Sequence, residues 1–280
     1  MRRRDFLCKS LALGTVAVTP LDLMGNVLSP TFPNQSQRMR LSIGKVECFF
    51  RFCRPGTFVM GSPKTEMYRG EAETQHEVTL SQGFWIAEIT VTQNLWKYVI
   101  GTNPSHFKGE TLPVETVSWH DCQDFIDKLN KAAKAPNGYR FSLPTESQWE
   151  YACRAGTNTP FNVGDYLNEN QANCDNGDSA AVSNYLAQTE KVASYPANAW
   201  GLYDMHGNVW EWCQDDFWHY PSGKSIDPIG SALDSCKVCR GGSWYDIAAY
   251  CRSASRYDFH SSVRNNQLGL RLVLIENEQF

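Results

Sequence analysis

The chain has 280 residues and a formal net charge of −4 at pH 7, and 42% of its residues are hydrophobic. A chain of this length can bury a sizeable core, either as one large domain or as two small ones. Its acidic balance excludes the basic field that nucleic-acid binding requires. We therefore expect a globular protein without a nucleic-acid partner.

Residues 1–30 have the pattern of an export signal. Three arginines follow Met1, and Phe6-Leu7 follows Arg3-Arg4, as in a twin-arginine signal. The apolar run Leu11 to Val18 is too short to span a bilayer. We predict an exported protein, periplasmic or at the cell surface, with no transmembrane segment beyond this signal. The alternative is an untargeted basic tail. Residues 31–45 are predicted to be a linker.

Three helices are predicted from their first residues. Thr92 precedes apolar residues at helical spacing, Ser118 is followed three residues later by Asp121, and Thr145 is followed by Gln148. Each threonine or serine is a good N-cap, and the last two pairs have the pattern of a capping box. The segments 49–60 and 77–86 are predicted to be strands, the first with a turn at 54–57.

Beyond Gly156 the sequence shows no long helical period, so loops and short strands are expected. Backbone groups in irregular structure need side-chain partners or ions, and calcium is the expected internal staple. Nine cysteines follow Cys8, and Cys236 and Cys239 have the spacing of a metal half-site or a redox pair. Buried thiols or a local disulfide are favoured here over a metal site.

Five blocks resemble the formylglycine-generating enzymes, also called the sulfatase-modifying factor family. They are Gly56 to Ser62, Pro113 to Trp119, Leu143 to Ala152, Trp200 to Trp212, and Arg240 to Arg256 with the following Asn265 to Val273. The resemblance implies an α+β fold, the sulfatase-modifying-factor variant of the C-type lectin fold, with few helices, short strands and much irregular loop structure. We assign this domain to residues 46–275.

The resemblance also implies a copper-binding pair of thiols that oxidises a substrate cysteine. Counted from Ser243, the two positions are Asp246 and Cys251. Cu(I) prefers sulfur, and the Asp246 carboxylate is a hard ligand that cannot replace a thiolate. Copper is therefore expected only under the oxidase alternative, in which Cys251 is the surviving thiol and Ser243 lies near the substrate. Otherwise Cys251 is expected to be a small buried core residue, and nothing in the sequence favours a distant cysteine such as Cys239 as its partner.

The block from Gly201 to Trp212 is predicted to bind calcium. Two carboxylates, Asp204 and Glu211, bracket a Gly207-Asn208 turn, and Ca²⁺ prefers such oxygen ligands. The resemblance adds the carbonyls of Gly207 and Val209 to this site. It implies a second calcium site formed by Asn173, the carbonyl of Cys174, Asn184 and Leu186. The alternative is that Asp204 and Glu211 cap turns or pair with Arg252 or Arg256.

The C-terminal block has the composition of a recognition surface, in which rigid aromatic side chains stand beside small polar ones. The predicted ligand-binding residues are Tyr245, Asp246, Ile247, Tyr250, Ser253, Ser255, Tyr257, Asp258, Phe259 and His260. Trp210 and Ser243 are expected to line the same cleft. This palette also resembles the variable segments of proteins diversified by retroelements, although ordinary divergence of a surface loop would produce it too.

The sequence therefore favours an exported ligand-binding or display protein whose partner is a protein or a cell-surface ligand. The alternative function is a copper-dependent formylglycine-generating oxidase acting on a sulfatase cysteine.

Overall fold

The computed structural model describes residues 33–133, 135–136, 138–175, 186–231 and 235–277. The predicted export signal, residues 1–30, lies outside the described residues. Within them, no helix combines the length and apolar character needed to cross a membrane.

Twelve strands and three α-helices are present in the described part of the chain. The helices are α1 (Gln93–Ile100), α2 (Trp119–Ala132) and α3 (Glu146–Arg154). The strands are β1 (Arg38–Ile43), β2 (Val46–Cys53), β3 (Gly56–Met60), β4 (His76–Leu80), β5 (Phe84–Ala87), β6 (Tyr139–Ser142), β7 (Trp210–Asp216), β8 (Ser225–Ile226), β9 (Cys236–Arg240), β10 (Arg256–His260), β11 (Leu268–Gly269) and β12 (Val273–Glu276). One 3₁₀ turn covers Ala248–Cys251.

The strands form three sheets, with the orders β1-β2-β5-β12-β6, β10-β9-β7-β11 and β3-β4-β8. The first strand corrects the predicted linker 31–45. Arg38–Ile43 pairs antiparallel with β2 in full register, so this part of the predicted linker belongs to the sheet. Its alternation of exposed and more buried residues is that of an edge strand with one solvated face.

The predicted helix starts are confirmed. The Thr92 side chain accepts a hydrogen bond from the Leu95 amide, and α1 ends at Gly101 with a left-handed φ of 92°. Capping boxes begin both α2 and α3, with Ser118 and Thr145 as the N-caps. These caps satisfy first-turn amides that have no partner within the helix.

Helix α3 lies at the centre of the core and contacts β3, β4, β7 and β9. Its Trp149 is fully buried, and the indole Nε1 donates to Glu211 Oε2 on β7 at 2.6 Å. The central helix is therefore joined by a side-chain hydrogen bond to the sheet that carries the candidate site.

Buried arginines satisfy many of the backbone carbonyls that the irregular segments leave without partners. Arg240 donates to the carbonyls of Ser253, Ala254 and Ser255, and its charge is balanced by Glu150. Arg271 uses all five of its N–H groups, on three backbone carbonyls and on Glu211. Both side chains are completely buried. Guanidinium groups thus provide many of the internal backbone contacts for which calcium was expected.

The spacing of Cys236 and Cys239 is a consequence of strand geometry. Both thiols lie on β9, where residues three apart are separated by about 10 Å and point to opposite faces. A disulfide needs Cα atoms within about 7 Å. Of the two favoured interpretations, the local disulfide is therefore wrong. Cys239 is buried and Cys236 is partly buried, and neither forms a disulfide.

We expect Arg240→Met to lower the free energy of unfolding by about 3–5 kcal/mol, because it removes the buried donor of Glu150 Oε2 and of the carbonyls of residues 253–255, while Arg154 still pairs with Glu150 Oε1. Urea unfolding followed by tryptophan fluorescence measures this change. The control is Arg40→Met, which removes an exposed ion pair with Glu47 and should leave the free energy of unfolding nearly unchanged. Equal effects of the two substitutions would contradict the central role of the buried pair.

Candidate functional site

The candidate site is the 243–260 segment, which comprises the turn after Gly242, the 3₁₀ turn Ala248–Cys251 and strand β10. It leaves β9 at Arg240 and returns as β10, which pairs antiparallel with β9. The loop between the two strands is therefore held at both ends by one sheet.

Two buried arginines fix the base of the 243–260 segment. Arg252 donates to Glu66 at 2.6 Å and to both oxygens of Glu73 at 2.8 and 2.9 Å. Burial opposes ionisation of Glu73, but the hydrogen bonds and charge of Arg252 lower the pKa of that carboxyl below its usual value. Arg256 makes a two-pronged pair with Glu146 at 2.6 and 2.8 Å. These paired charges hold the backbone at fixed points on the underlying structure.

Above this base, four large side chains project into solvent. Tyr245, Ile247, Tyr250 and Tyr257 are 59%, 42%, 49% and 45% exposed. His260 is also exposed, and Asp258 and Phe259 are half-buried. These predicted ligand-binding residues are therefore wholly or partly accessible to a ligand.

Five of the predicted site residues occupy less accessible positions. Ser253 and Ser255 are buried beneath the segment, so their predicted contact with a ligand is wrong. Ser243 and Trp210 are also buried, and they support the surface instead of lining an open cleft. Asp246 is half-buried. The residue types along the segment did not show which of its polar side chains point inward.

Asp246 is engaged by its neighbours. Its Oδ2 accepts hydrogen bonds from the Ser243 hydroxyl and, at 2.8 Å, from the Trp210 indole. Burial raises the pKa of this carboxyl, while the same two donors act in the opposite direction. The carboxylate at the expected thiol position therefore serves as an acceptor that orients Trp210 beneath the segment.

The exposed face continues as a layer of aromatic rings across the sheet. Trp210 on β7 lies 5.7 Å from Tyr257 between ring centroids, and Tyr257 lies 4.9 Å from Phe259. Phe259 in turn meets Trp212 edge-on at 6.2 Å. Contacts of this kind add to the stability contributed by burial and restrict the motion of Tyr257.

The structure gives Cys251 a partner that the sequence analysis missed. Cys174 and Cys251 belong to one small apolar cluster. The neighbouring Cys174 thiol and, next, burial raise the pKa of the Cys251 thiol well above its ordinary value. The expected burial of Cys251 is confirmed, and the distant cysteine in its cluster is Cys174 and not Cys239. The two cysteines are far apart in sequence, so spacing gave no signal.

The predicted calcium residues fit an ion only in part. Asp204 is buried, its Oδ2 accepts from the Ala193 amide at 2.8 Å, and its Oδ1 has no hydrogen-bond partner. Burial raises the pKa of this carboxyl to about 6. An unpartnered buried carboxylate oxygen is suited to a cation.

Glu211 does not present a free oxygen. Its Oε1 accepts two hydrogen bonds from Arg271. Its Oε2 accepts one from Arg271 and one from Trp149. Of the alternatives considered from the sequence, pairing with an arginine is therefore the arrangement observed, but the arginine is Arg271 and not Arg252 or Arg256. A calcium ion here would depend on Asp204 and on backbone oxygens such as those of Gly207 and Val209.

The second predicted calcium site is only partly described, because Asn184 lies outside the described residues. Asn173 donates to the Gln188 carbonyl at 3.0 Å and to the Asn208 side chain at 3.2 Å. Its own carbonyl accepts from the Asn208 amide at 2.8 Å. Gly207 has a φ of +79°, and a Cβ there would lie 2.3 Å from that carbonyl. Leu186 is exposed. The loop is thus held together by an asparagine network beside the first predicted site.

A groove of about 600 Å³ adjoins the 243–260 segment on the side of the 3₁₀ turn. Ala248, Ala249 and Arg252 line it together with the exposed side chains of Tyr68 and Tyr166. A second cavity of about 350 Å³ lies beyond Arg256. There burial, and next the charge of Glu146, raise the pKa of Asp215 to about 7.

Comparison with known proteins agrees with this geometry. Residues 51–275 match the model of the sulfatase-modifying factor enzyme 1-like domain, and the chain belongs to this family. The fold is α+β and of the C-type lectin type, as predicted from the sequence.

Three relatives are informative. Chaperone protein LppX of Paenibacillus barcinonensis is 31% identical over 243 residues, which cover 70% of this chain and 81% of the relative. Treponema denticola variable protein 1 superposes with a TM-score of 0.71 at 28% identity, covering 84% of this chain and 98% of that one. PvdO from Pseudomonas aeruginosa gives a TM-score of 0.74 at 26% identity, covering 87% and 99%.

Proposed function

We propose that this protein is an exported ligand-binding or display module built on the sulfatase-modifying-factor scaffold. The observation that carries the proposal is the contrast within the 243–260 segment. Tyr245, Ile247, Tyr250 and Tyr257 are exposed, whereas the arginines and serines between them are buried and bonded to the framework. Rigid aromatic side chains on a fixed base provide contact area at a small entropic cost.

The shape of the surface favours a large ligand. The side chain of Tyr257 is exposed, and an open groove lined by Ala248 adjoins the same segment. Exposed tyrosines that line a groove can stack on a ligand and donate hydrogen bonds to it. We therefore propose a protein or a cell-surface molecule as the partner.

Similarity to a variable protein supports a finer version of the proposal, in which a retroelement diversifies the 243–260 segment. The four exposed positions are those at which substitution would change binding without disturbing the base. A nearly identical copy of this coding segment, differing at adenines and lying beside a reverse transcriptase gene, would establish it. The absence of such a copy would contradict diversification by a retroelement and leave the binding proposal unchanged.

The display proposal predicts that the four exposed positions tolerate substitution. We expect a library randomised at Tyr245, Ile247, Tyr250 and Tyr257 to remain mostly folded, because substitutions at exposed positions usually change stability by less than about 0.5 kcal/mol. Protease resistance on the yeast surface measures folding. Panning the folded fraction against purified lysozyme as a probe should enrich binders that differ at these positions.

The matched control is a library of equal size at Ser243, Ser253, Ser255 and Arg256, the buried residues of the same segment. Most of its members should be protease-sensitive. If the two libraries lose folding equally often, or if the exposed library yields no binder, the segment is not a display surface.

One observation favours the oxidase alternative, because Cys174 supplies a second thiol beside Cys251. Two soft thiolates could hold Cu(I), and the metal would supply the oxidation of a substrate cysteine. Both sulfurs are buried, however, and a substrate thiol needs a path to them.

We expect no aldehyde when the protein is incubated with Cu(I), oxygen and a Cys-x-Pro-x-Arg peptide, because the thiol pair is shielded from a peptide. Mass spectrometry of the peptide detects the product. Aldehyde formation that Cys251→Ser abolishes would instead establish the oxidase and remove the preference for binding alone.

We also propose that calcium stabilises the loop around Asp204, through the unpartnered Oδ1 of this residue. Chelation with EDTA should lower the melting temperature by about 5 °C or more, if calcium is present at a hundredfold excess over its dissociation constant. Asp204→Asn should remove most of this sensitivity, because it removes the ligand charge and keeps the size of the side chain. Calorimetry with and without calcium gives the measurement.

The control is Asp165→Asn, an exposed aspartate that should keep the full effect of calcium. Glu211→Ala is unsuitable, since it would leave Arg271 buried and unpaired whether or not calcium binds. An identical melt with and without EDTA would refute the calcium proposal while leaving the binding proposal intact.

A further inference from the structure

Cys174 and Cys251 are brought together by backbone pairing between two distant segments. The Asp175 amide donates to the Asp246 carbonyl at 2.8 Å, and Asp175 forms a parallel bridge with Ile247. Cys251 closes the 3₁₀ turn that follows Ile247, and its Sγ donates to the Ile247 carbonyl at 3.8 Å. The position of each thiol is therefore set by hydrogen-bonded backbone.

The space around the two sulfurs is apolar and closely filled. Phe161, Ala172, Leu167 and Ala248 pack around the pair. Gly242 makes room for it, since a Cβ at this position would lie 2.4 Å from Cys251 Sγ. Two thiols that donate only weakly gain little from each other in such a setting. The packing of these apolar side chains therefore keeps the two sulfurs together.

The buried thiols of Cys153 and Cys213 have oxygen partners. Cys153 Sγ donates to the Ser253 hydroxyl at 3.6 Å and to the Met205 carbonyl at 3.7 Å. Cys213 Sγ donates to the Glu211 carbonyl at 3.9 Å. Cys174 and Cys251 lie instead beside each other in one apolar cluster.

We propose that Cys174 and Cys251 form a disulfide when the chain folds in contact with a disulfide oxidant. The oxidant is a small or protein disulfide that exchanges with thiols. One cysteine attacks it as a thiolate, which releases one thiol and leaves a mixed disulfide on the chain. The second thiolate then displaces the remaining thiol. The two cysteines lose two protons and two electrons in total, and the oxidant is reduced to two thiols.

This cross-link would join the loop that carries Asn173 to the base of the 243–260 segment. It would close a long stretch of chain, which is the situation in which a disulfide restricts the unfolded state most. Because the site is buried, oxidation is expected during folding or local opening, and a folded reduced protein should oxidise slowly. The inference stands independently of the binding proposal, because it rests on the packing of the two thiols and not on the exposed side chains of the segment.

The test compares the full chain refolded in oxidised glutathione with the chain refolded in dithiothreitol. Each sample is denatured in guanidinium with iodoacetamide and mapped by mass spectrometry without reduction. The oxidised sample should contain one cross-linked species that joins the Cys174 and Cys251 peptides and lacks the mass of two hydrogens. Its melting temperature should exceed that of the reduced sample by about 5 °C or more.

Cys174→Ala should abolish both the cross-linked species and the redox dependence of the melt. The matched control Cys48→Ala, at a partly buried thiol of β2, should keep both. If Cys174→Ala does not fold, the peptide map of the unsubstituted protein still decides the question. Alkylation of both cysteines in the oxidised sample, or a bond from either one to a different cysteine, overturns the proposal.

Discussion

Buried guanidinium groups are the constraint on which this structure depends. Much of the chain after α3 is irregular, and its carbonyls need donors that sheets and helices do not provide. Arg240 and Arg271 provide them, and each is neutralised by a buried glutamate. An unpaired buried charge is costly, so the arginines and glutamates have to be placed together. The packing of α3 against the sheets is tied to the same network through Trp149 and Glu211.

The candidate site follows from this network. Arg252 and Arg256 hold the 243–260 segment at two points, and Arg240 holds the carbonyls between them. With the backbone fixed, the outward side chains can vary without changing the fold, which is the property that a display surface needs. At Asp246 the chain uses a carboxylate to orient Trp210 and Ser243. The carboxylate that stands where a copper-binding thiol was expected therefore strengthens the support of the surface.

The thiol pair shows how one position can acquire a new role. Cys251 has no sulfur partner within its own segment, but backbone pairing at Asp175 brings Cys174 against it. Burial disfavours the thiolate form that either metal binding or catalysis would use, and it favours a structural role once the sulfurs are joined. The exposed side chains of the segment can bind a ligand while its buried Cys251 is cross-linked, so the two roles are compatible.

The sequence by itself determined the features that depend on neighbouring residues. The three helix starts were predictable because Thr92, Ser118 and Thr145 cap helices through bonds within a single turn. The fold family was predictable because its blocks occur in order along the chain. Only the tertiary structure decided that β1 belongs to a sheet, that Ser253 and Ser255 point inward, that Glu211 pairs with Arg271, and that Cys174 meets Cys251. Each of these contacts joins residues distant in sequence or depends on which face of a loop is covered, and local pattern carries no information about either.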